Sequence, residues 1–289
     1  MTNFFYCLLL SMVVSNATVA AIPAAKQPTN YVVLLDLSDR LLAPKQAERD
    51  LAMVQAVFAE FDSRVRSQQI IFSKDCFRVV IAPQKGISYR PEAFMDALYL
   101  DMDALTMADK RKRLDALRAD LPRQLAALYR QALTGKRQAG RGTARDFAGC
   151  DLWQYANEQL PTDLRPHAQN VLVVLTDGYL DFERNTHGLT QGNRATDSRM
   201  LDRLRRDPNW RQTLARPTEG LMPLTKNLPN LRVCVAEVRP KYDHLHEADL
   251  LTALWDKWLR ESRAVRWAVQ VQGSMPKSLA MLREFLKSE

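Results

Sequence analysis

The hydrophobic residues of this chain follow two alternating patterns. Short continuous apolar runs, such as YVVLL at 31–35 and NVLVVL at 170–175, predict strands buried on both faces, as in a parallel sheet. Between such runs, apolar residues recur every three or four positions, for example at 44–66, and this spacing predicts helices. Strands that alternate with helices predict an α/β fold, doubly wound, with a mostly parallel central sheet and helices on both faces.

The same patterns predict the other elements of the fold. We expect further strands at 70–72, 77–82, 231–238 and 264–271, and helices at 91–99, 107–133, 151–160, 247–260 and 276–286. Pro122 predicts a division or kink of the long helix. Residues 179–228 lack a clear strand pattern, so we expect loops there, with one helix near 196–206. Because no linker divides the chain, we predict one domain over 28–289, with a basic helical insertion at about 106–146 and a loop-rich insertion at about 179–228.

The amino-terminal segment has the pattern of an export signal. The first 25 residues carry no charged side chain, and an apolar run at 4–14 is followed by small residues. This pattern predicts a signal peptide over 1–21, and the run is too short to span a membrane comfortably. We therefore predict export, to the periplasm or outside the cell. Because no Lys or Arg precedes the run, an uncleaved membrane anchor is the alternative.

The positive charge of the chain is concentrated in one segment. The formal net charge is +8, and residues 109–146 contain eleven Lys or Arg against four Asp. The segment 110–145 is therefore a candidate surface for an anionic partner, and the alternative is a solvated helix face with a basic loop. Tyr129 is its single aromatic residue, so the stacking surface of a single-strand binder is lacking and nucleic acid is disfavoured without being excluded.

Two of the most hydrophobic predicted strands end in carboxylates. Asp36 follows the run at 31–35, and Asp177 follows the run at 170–175. In an open parallel sheet, ligands bind at the carboxyl ends of the strands, where the winding direction reverses. Two Asp residues and the hydroxyl of Ser38 at one such crevice would form a set of hard oxygen ligands, which suits Mg²⁺, Mn²⁺ or Ca²⁺.

These residues carry a resemblance to a known family. The sequence Asp36-x-Ser38-x-Arg40, with Thr176–Asp177–Gly178 after a later strand, resembles the metal-ion-dependent adhesion site of von Willebrand factor A domains, over roughly residues 30–272. The resemblance implies a Rossmann-like sheet and a metal ion bound by Ser38, by Asp36 through water, and by Asp177. In that family an acidic group of the partner completes the metal shell, which implies a protein partner here.

The chain departs from the family pattern at two positions. Arg40 stands where the family has a second Ser, so its charge would repel a metal unless it turns towards Asp39 or another carboxylate. Cys150 stands at the place of a ligating Thr and is a poor ligand for Mg²⁺. The adjacent Asp151 could compensate as a ligand, or it could cap its own helix.

The sequence favours a binding protein over an enzyme. No G-x-S-x-G, P-loop or G-x-G-x-x-G motif occurs, so the usual arguments for a serine hydrolase or a nucleotide-binding protein do not apply. We predict a module that engages an acidic group of another protein through a divalent metal or through the Arg40-modified site. One alternative is a metal-dependent phosphodiesterase or nuclease that uses Asp36, Asp177 and Asp151. A second is a scaffold subunit of an envelope assembly with a vestigial metal site.

Overall fold

The strands of the described residues form two separate sheets. The computed structural model describes residues 27–87, 89–137, 149–180, 189–226, 228 and 230–287, so the predicted signal segment at 1–21 lies outside the described residues. The strands are β1 (Thr29–Leu35), β2 (Cys76–Ile81), β3 (Tyr99–Asp101), β4 (Gln169–Leu175), β5 (Thr190–Gln191), β6 (Asn193–Ala195), β7 (Glu219–Leu221), β8 (Leu231–Val238) and β9 (Arg266–Val271). Six of these strands build the central sheet, and β5–β7 form the smaller one.

The central sheet has the strand order β3-β2-β1-β4-β8-β9. Every neighbouring pair is parallel except β2 and β3, which are antiparallel. This confirms the predicted α/β class with a mostly parallel sheet, and the order fits a Rossmann-like fold. The chain builds one half of the sheet outwards from β1 and the other half outwards from β4. The winding direction therefore reverses between β1 and β4, and that reversal positions the candidate site.

Helices cover both faces of the central sheet, as predicted. They are α1 (Gln46–Ser67), α2 (Pro91–Ala97), α3 (Met107–Arg137), α4 (Leu152–Gln154), α5 (Leu160–Asp163), α6 (Leu201–Leu204), α7 (Trp210–Ala215), α8 (Glu247–Glu261) and α9 (Met275–Lys287), with a π-helical turn at Tyr155–Gln159 between α4 and α5. Alternate residues of a strand point to opposite faces. Val33 and Leu35 of β1 therefore join a core with α1, α3 and α9, whereas Val32 and Leu34 join a second core with α8 and the segment 152–160.

Helix α3 is longer than predicted. It runs through Pro122 as a single helix, so the predicted division at that residue is wrong, and the alternative of a kink there stays a prediction. Leu114, Leu121 and Leu128 lie on one face of the helix and are at most 2% exposed, so the packing of this face against the core holds the helix together across the proline. None of the described helices is both long enough and apolar enough to cross a membrane.

Two other predictions about secondary structure need correction. Residues 70–72 form a turn and no strand: the backbone N–H of Phe72 donates to the carbonyl of Gln69, and the Phe72 side chain is 61% exposed. The segment 179–228 contains the short strands β5–β7 and a second helix, α7, besides the expected helix, which is present as a 3₁₀ turn at Ser198–Met200 followed by α6. Strands of two or three residues are too short to show an alternating pattern.

Candidate functional site

The structure brings the loops after β1 and β4 together, as predicted from the two strand-end carboxylates. Asp36 Oδ1 accepts a hydrogen bond from the Ser38 backbone N–H at 3.0 Å, and Asp36 Oδ2 accepts one from the Thr176 hydroxyl at 2.7 Å. Asp36, Ser38 and Thr176 are all buried. The Asp36 carboxylate therefore connects the two adjacent strands at the point where the winding direction of the sheet reverses.

Asp177 lies beside this pair and is also buried. Its Oδ1 accepts a hydrogen bond from the Tyr179 backbone N–H at 3.2 Å. Burial is the main reason that its pKa is raised to about 6; the Lys241 ammonium opposes this rise, and the Asp36 carboxylate adds to it. The two carboxylates are thus close enough for the charge of one to act on the other.

Gly178 allows the chain to turn directly after Asp177. Its φ is +96°, in the region that residues with a side chain rarely adopt, and a Cβ there would lie 2.9 Å from Cγ1 of Val238. The absence of a side chain therefore permits close packing of the β4 loop on the end of β8. This packing brings the loop that follows β8 to the same edge of the sheet.

Lys241, in the loop after β8, is the residue that sequence reasoning missed. Its Nζ donates to Asp39 Oδ1 at 2.8 Å and lies 3.1 Å from Asp177 Oδ2. The contact with Asp177 is an ion pair without hydrogen-bond geometry, since Oδ2 has no hydrogen-bond partner within the part of the chain that the structure describes. We call the site formed by Asp36, Ser38, Asp39, Asp177 and Lys241 the strand-end crevice.

Arg40 turns away from the strand-end crevice. Its guanidinium makes a two-pronged ion pair with Asp50, at 2.7 and 2.9 Å, and its Nη1 donates to the backbone carbonyl of Asp36 at 3.1 Å. Arg40 is 1% exposed, and Gln46 and Tyr129 complete the hydrogen bonds to Asp50. Burial alone would lower the pKa of Arg40, but the charge of Asp50, its hydrogen bonds with the guanidinium and the charge of Asp36 together outweigh burial, and the pKa is raised. A partner therefore cannot contact the Arg40 side chain in this structure.

The predicted residues Cys150 and Asp151 serve local structure. Cys150 is buried and pairs as an isolated bridge with Gln84, next to β2. Asp151 caps α4, because its Oδ1 accepts a hydrogen bond from the Gln154 backbone N–H at 2.7 Å. Burial raises the pKa of Asp151, and that hydrogen bond lowers it in part. The capping role that the sequence left open is thus present in the structure.

The arrangement of these side chains does not fit a divalent metal. Mg²⁺ requires a near-octahedral set of oxygen ligands, whereas an ammonium already lies 3.1 Å from Asp177 Oδ2. A divalent ion about 4 Å from this ammonium would be repelled by roughly 8 kcal/mol at an effective dielectric constant near 20, twice the value for unit charges. Among the described residues, no group of three or more His, Cys, Asp or Glu is placed to hold a metal ion. The Mg²⁺, Mn²⁺ or Ca²⁺ expected from the sequence therefore stays a prediction that the arrangement of these side chains does not support.

The basic segment is described only in part. Residues 138–148 lie outside the described residues, and within α3 the side chains of Arg111, Lys112 and Arg113 are exposed. Lys110 is buried, and its Nζ donates to the backbone carbonyl of Ser73 at 2.7 Å. Its ammonium therefore stabilises the fold and does not face a partner. An anionic partner at this segment stays a prediction.

Comparisons with known proteins do not place the chain in a family. No family model matches it, and no curated protein matches it. Among solved structures, it is similar to proximal thread matrix protein 1 from the mussel byssus, with 10% identity and a TM-score of 0.31, over 90% of this chain. The chain spans about half (47%) of the length of that protein. A likeness at this level carries no argument about fold type or function.

Proposed function

We propose that this protein is a binding module of the von Willebrand factor A type, whose strand-end crevice engages an acidic group of another protein. The observation that carries the proposal is that Asp36 and Asp177 lie close together at the reversal point of the sheet, where the Lys241 ammonium contacts Asp177. Ligands of open α/β sheets bind at this place, outside the carboxyl ends of the strands.

The distribution of charge between buried and exposed residues supports an acidic partner. Asp36 and Asp177 are each 2% exposed, so an incoming group meets the rim of the strand-end crevice before it meets them. Exposed or half-buried cations lie on the loops that follow the central strands: Lys45 after β1, Lys85 after β2, and Arg239 and Lys241 after β8. A carboxylate that approaches this rim is attracted by these positive charges, of which Lys241 is already shared with the partly exposed Asp39.

A peptide selection tests both the chemistry and the place of binding. A random peptide library is selected against the full chain, and each enriched peptide is compared with a copy in which its Asp or Glu is changed to Asn or Gln. We expect the enriched peptides to share an acidic residue whose amide copy binds about tenfold more weakly or worse, the effect of losing one charge-assisted hydrogen bond. Enrichment of peptides without an acidic residue would contradict the proposal.

A pair of photo-crosslinking variants locates the bound peptide. Tyr242 is 51% exposed beside Lys241, and Phe72 is 61% exposed before β2, at the amino ends of the strands. Each aromatic residue is replaced in turn by p-benzoylphenylalanine, which preserves the aromatic character of the side chain. The peptide should crosslink to position 242 and not to the control position 72. The reverse result, or equal crosslinking at both positions, would place the binding surface elsewhere.

A further inference from the structure

We infer that Lys241 is the built-in cation of the strand-end crevice: its ammonium takes the place between Asp39 and Asp177 in which a divalent ion would otherwise bind. The inference deepens the proposed function. It rests on that proposal in one respect only, namely that the ammonium faces an acidic group of a partner. It is argued from three observations, which concern the backbone, the ammonium and the other cation next to the crevice.

The backbone around Lys241 is fixed to the loop after β4. The N–H of Arg239 donates to the carbonyl of Asp177 at 2.9 Å, and the N–H of Lys241 donates to the Tyr179 hydroxyl at 3.0 Å. Tyr179 in turn donates to Glu247 Oε1 at 2.6 Å, which also receives a hydrogen bond from Arg205. Lys241 is therefore held at its position by the fold, unlike a lysine on a free surface loop.

The ammonium of Lys241 has the environment of a bound cation. It lies between the carboxylates of Asp39, at 2.8 Å, and Asp177, at 3.1 Å, and 5.1 Å from the centre of the Tyr179 ring. Carboxylates and an aromatic face both attract a positive charge. The Lys241 side chain is 23% exposed, so solvent and partners can reach it. The acidic residues of the crevice are thus partly neutralised by the chain itself.

Arg40 cannot serve as the cation of the strand-end crevice, although it lies next to the same loops. Its side chain is 1% exposed, and its charge is matched by Asp50. Lys241 contacts Asp177 directly, whereas the contact of Arg40 with Asp36 is to the backbone carbonyl. Removing the Lys241 charge should therefore leave Asp39 and Asp177 without their cation and create affinity for a divalent ion.

Binding of Mn²⁺, followed by electron paramagnetic resonance of the free ion, tests the inference without any partner. Lys241→Met removes the ammonium and retains an unbranched side chain. Lys74→Met is the matched control, because Lys74 forms a surface ion pair with Asp103 at 3.3 Å. We expect Lys241→Met to bind Mn²⁺ about tenfold more tightly than the wild type or better, and Lys74→Met to match the wild type. Equal Mn²⁺ affinities of Lys241→Met and the wild type, or no Mn²⁺ binding by either protein, would overturn the inference.

Acetylation of lysines in the wild type keeps the test valid if Lys241→Met does not fold. Mass spectrometry gives the acetylation rate of Lys241 relative to Lys74, whose side chain is 63% exposed. We expect Lys241 to react more slowly than Lys74, at a rate that added Mg²⁺ does not change. Faster acetylation of Lys241 on addition of Mg²⁺ would show that a metal displaces the ammonium, and it would overturn the inference. Neither measurement depends on peptide binding, so a failure of the proposed function is recognised separately.

Discussion

Replacement of Asp50 by Asn should destabilise the protein more than any surface change of the same kind. Asp50 is 0% exposed and accepts four hydrogen bonds: two from Arg40, one from Gln46 and one from Tyr129. Asn retains one acceptor oxygen, but its amide N–H₂ faces donors, and the buried Arg40 charge loses its counter-ion. Breaking a buried ion pair from one side costs about 3–5 kcal/mol, so we expect the free energy of unfolding to fall by that amount.

Urea unfolding measures this loss. The transition is followed by the fluorescence of the five Trp residues and by circular dichroism, and the free energy of unfolding is extrapolated to water. Asp103→Asn is the control, because its ion pair with Lys74 is exposed on both sides and should contribute no more than about 1 kcal/mol. If Asp50→Asn lost no more stability than this control, Arg40 would not depend on Asp50, and the conclusion that Arg40 is directed away from the strand-end crevice would be wrong.

Three further predictions concern the loops and the ends of the strands. Thr176→Val should lower the free energy of unfolding by about 1–3 kcal/mol in urea titrations, because Asp36 loses a buried donor at 2.7 Å, and Thr176→Ser should restore most of it. Gly178→Ala should cost about 1–3 kcal/mol in the same assay, because φ is +96° and the new Cβ would lie 2.9 Å from a side chain of β8; an unchanged midpoint would contradict this. Burial alone would raise the pKa of Glu237, but the hydrogen bonds from Arg49, Gln272 and Ser278, together with the charge of Arg49, outweigh burial, and the pKa is lowered from 4.5. Glu237 therefore stabilises the fold above its unfolded pKa and loses this effect as pH falls through the folded pKa, so Glu237→Gln should be less stable than wild type at pH 7 and should approach it in thermal melts near pH 3.

Much of the central sheet could be predicted from the sequence because its strands are long and buried on both faces. The run at 231–238 has the bounds of β8, and the run at 170–175 differs from β4 by one residue. Strand β3 was missed because a three-residue edge strand depends on its partner β2 rather than on its own pattern. The strand predicted at 70–72 is the opposite error. An apolar triplet forms a strand only where another strand pairs with it, and residues 70–72 form a turn instead.

The part of the site that follows strand ends was predictable, and the ion pairs were not. Asp36, Thr176 and Asp177 each follow a buried strand, and parallel strands end at the same edge of a sheet. The requirement that Arg40 turn to a carboxylate could be stated from charge alone, but that this carboxylate is Asp50 of α1 depends on packing. Lys241 also follows a strand, β8, and that position was the available signal; its approach to Asp177 depends on the packing of the loops, which Gly178 allows.

The affinity of a selected acidic peptide in the presence of EDTA tests the central claim most directly. The wild type should bind the peptide with the same dissociation constant in EDTA and in excess Mg²⁺, and Lys241→Met should bind it about tenfold more weakly or worse in EDTA. Binding by the wild type that disappears in EDTA and returns with Mg²⁺ would show that a metal ion, and not Lys241, recognises the acidic group.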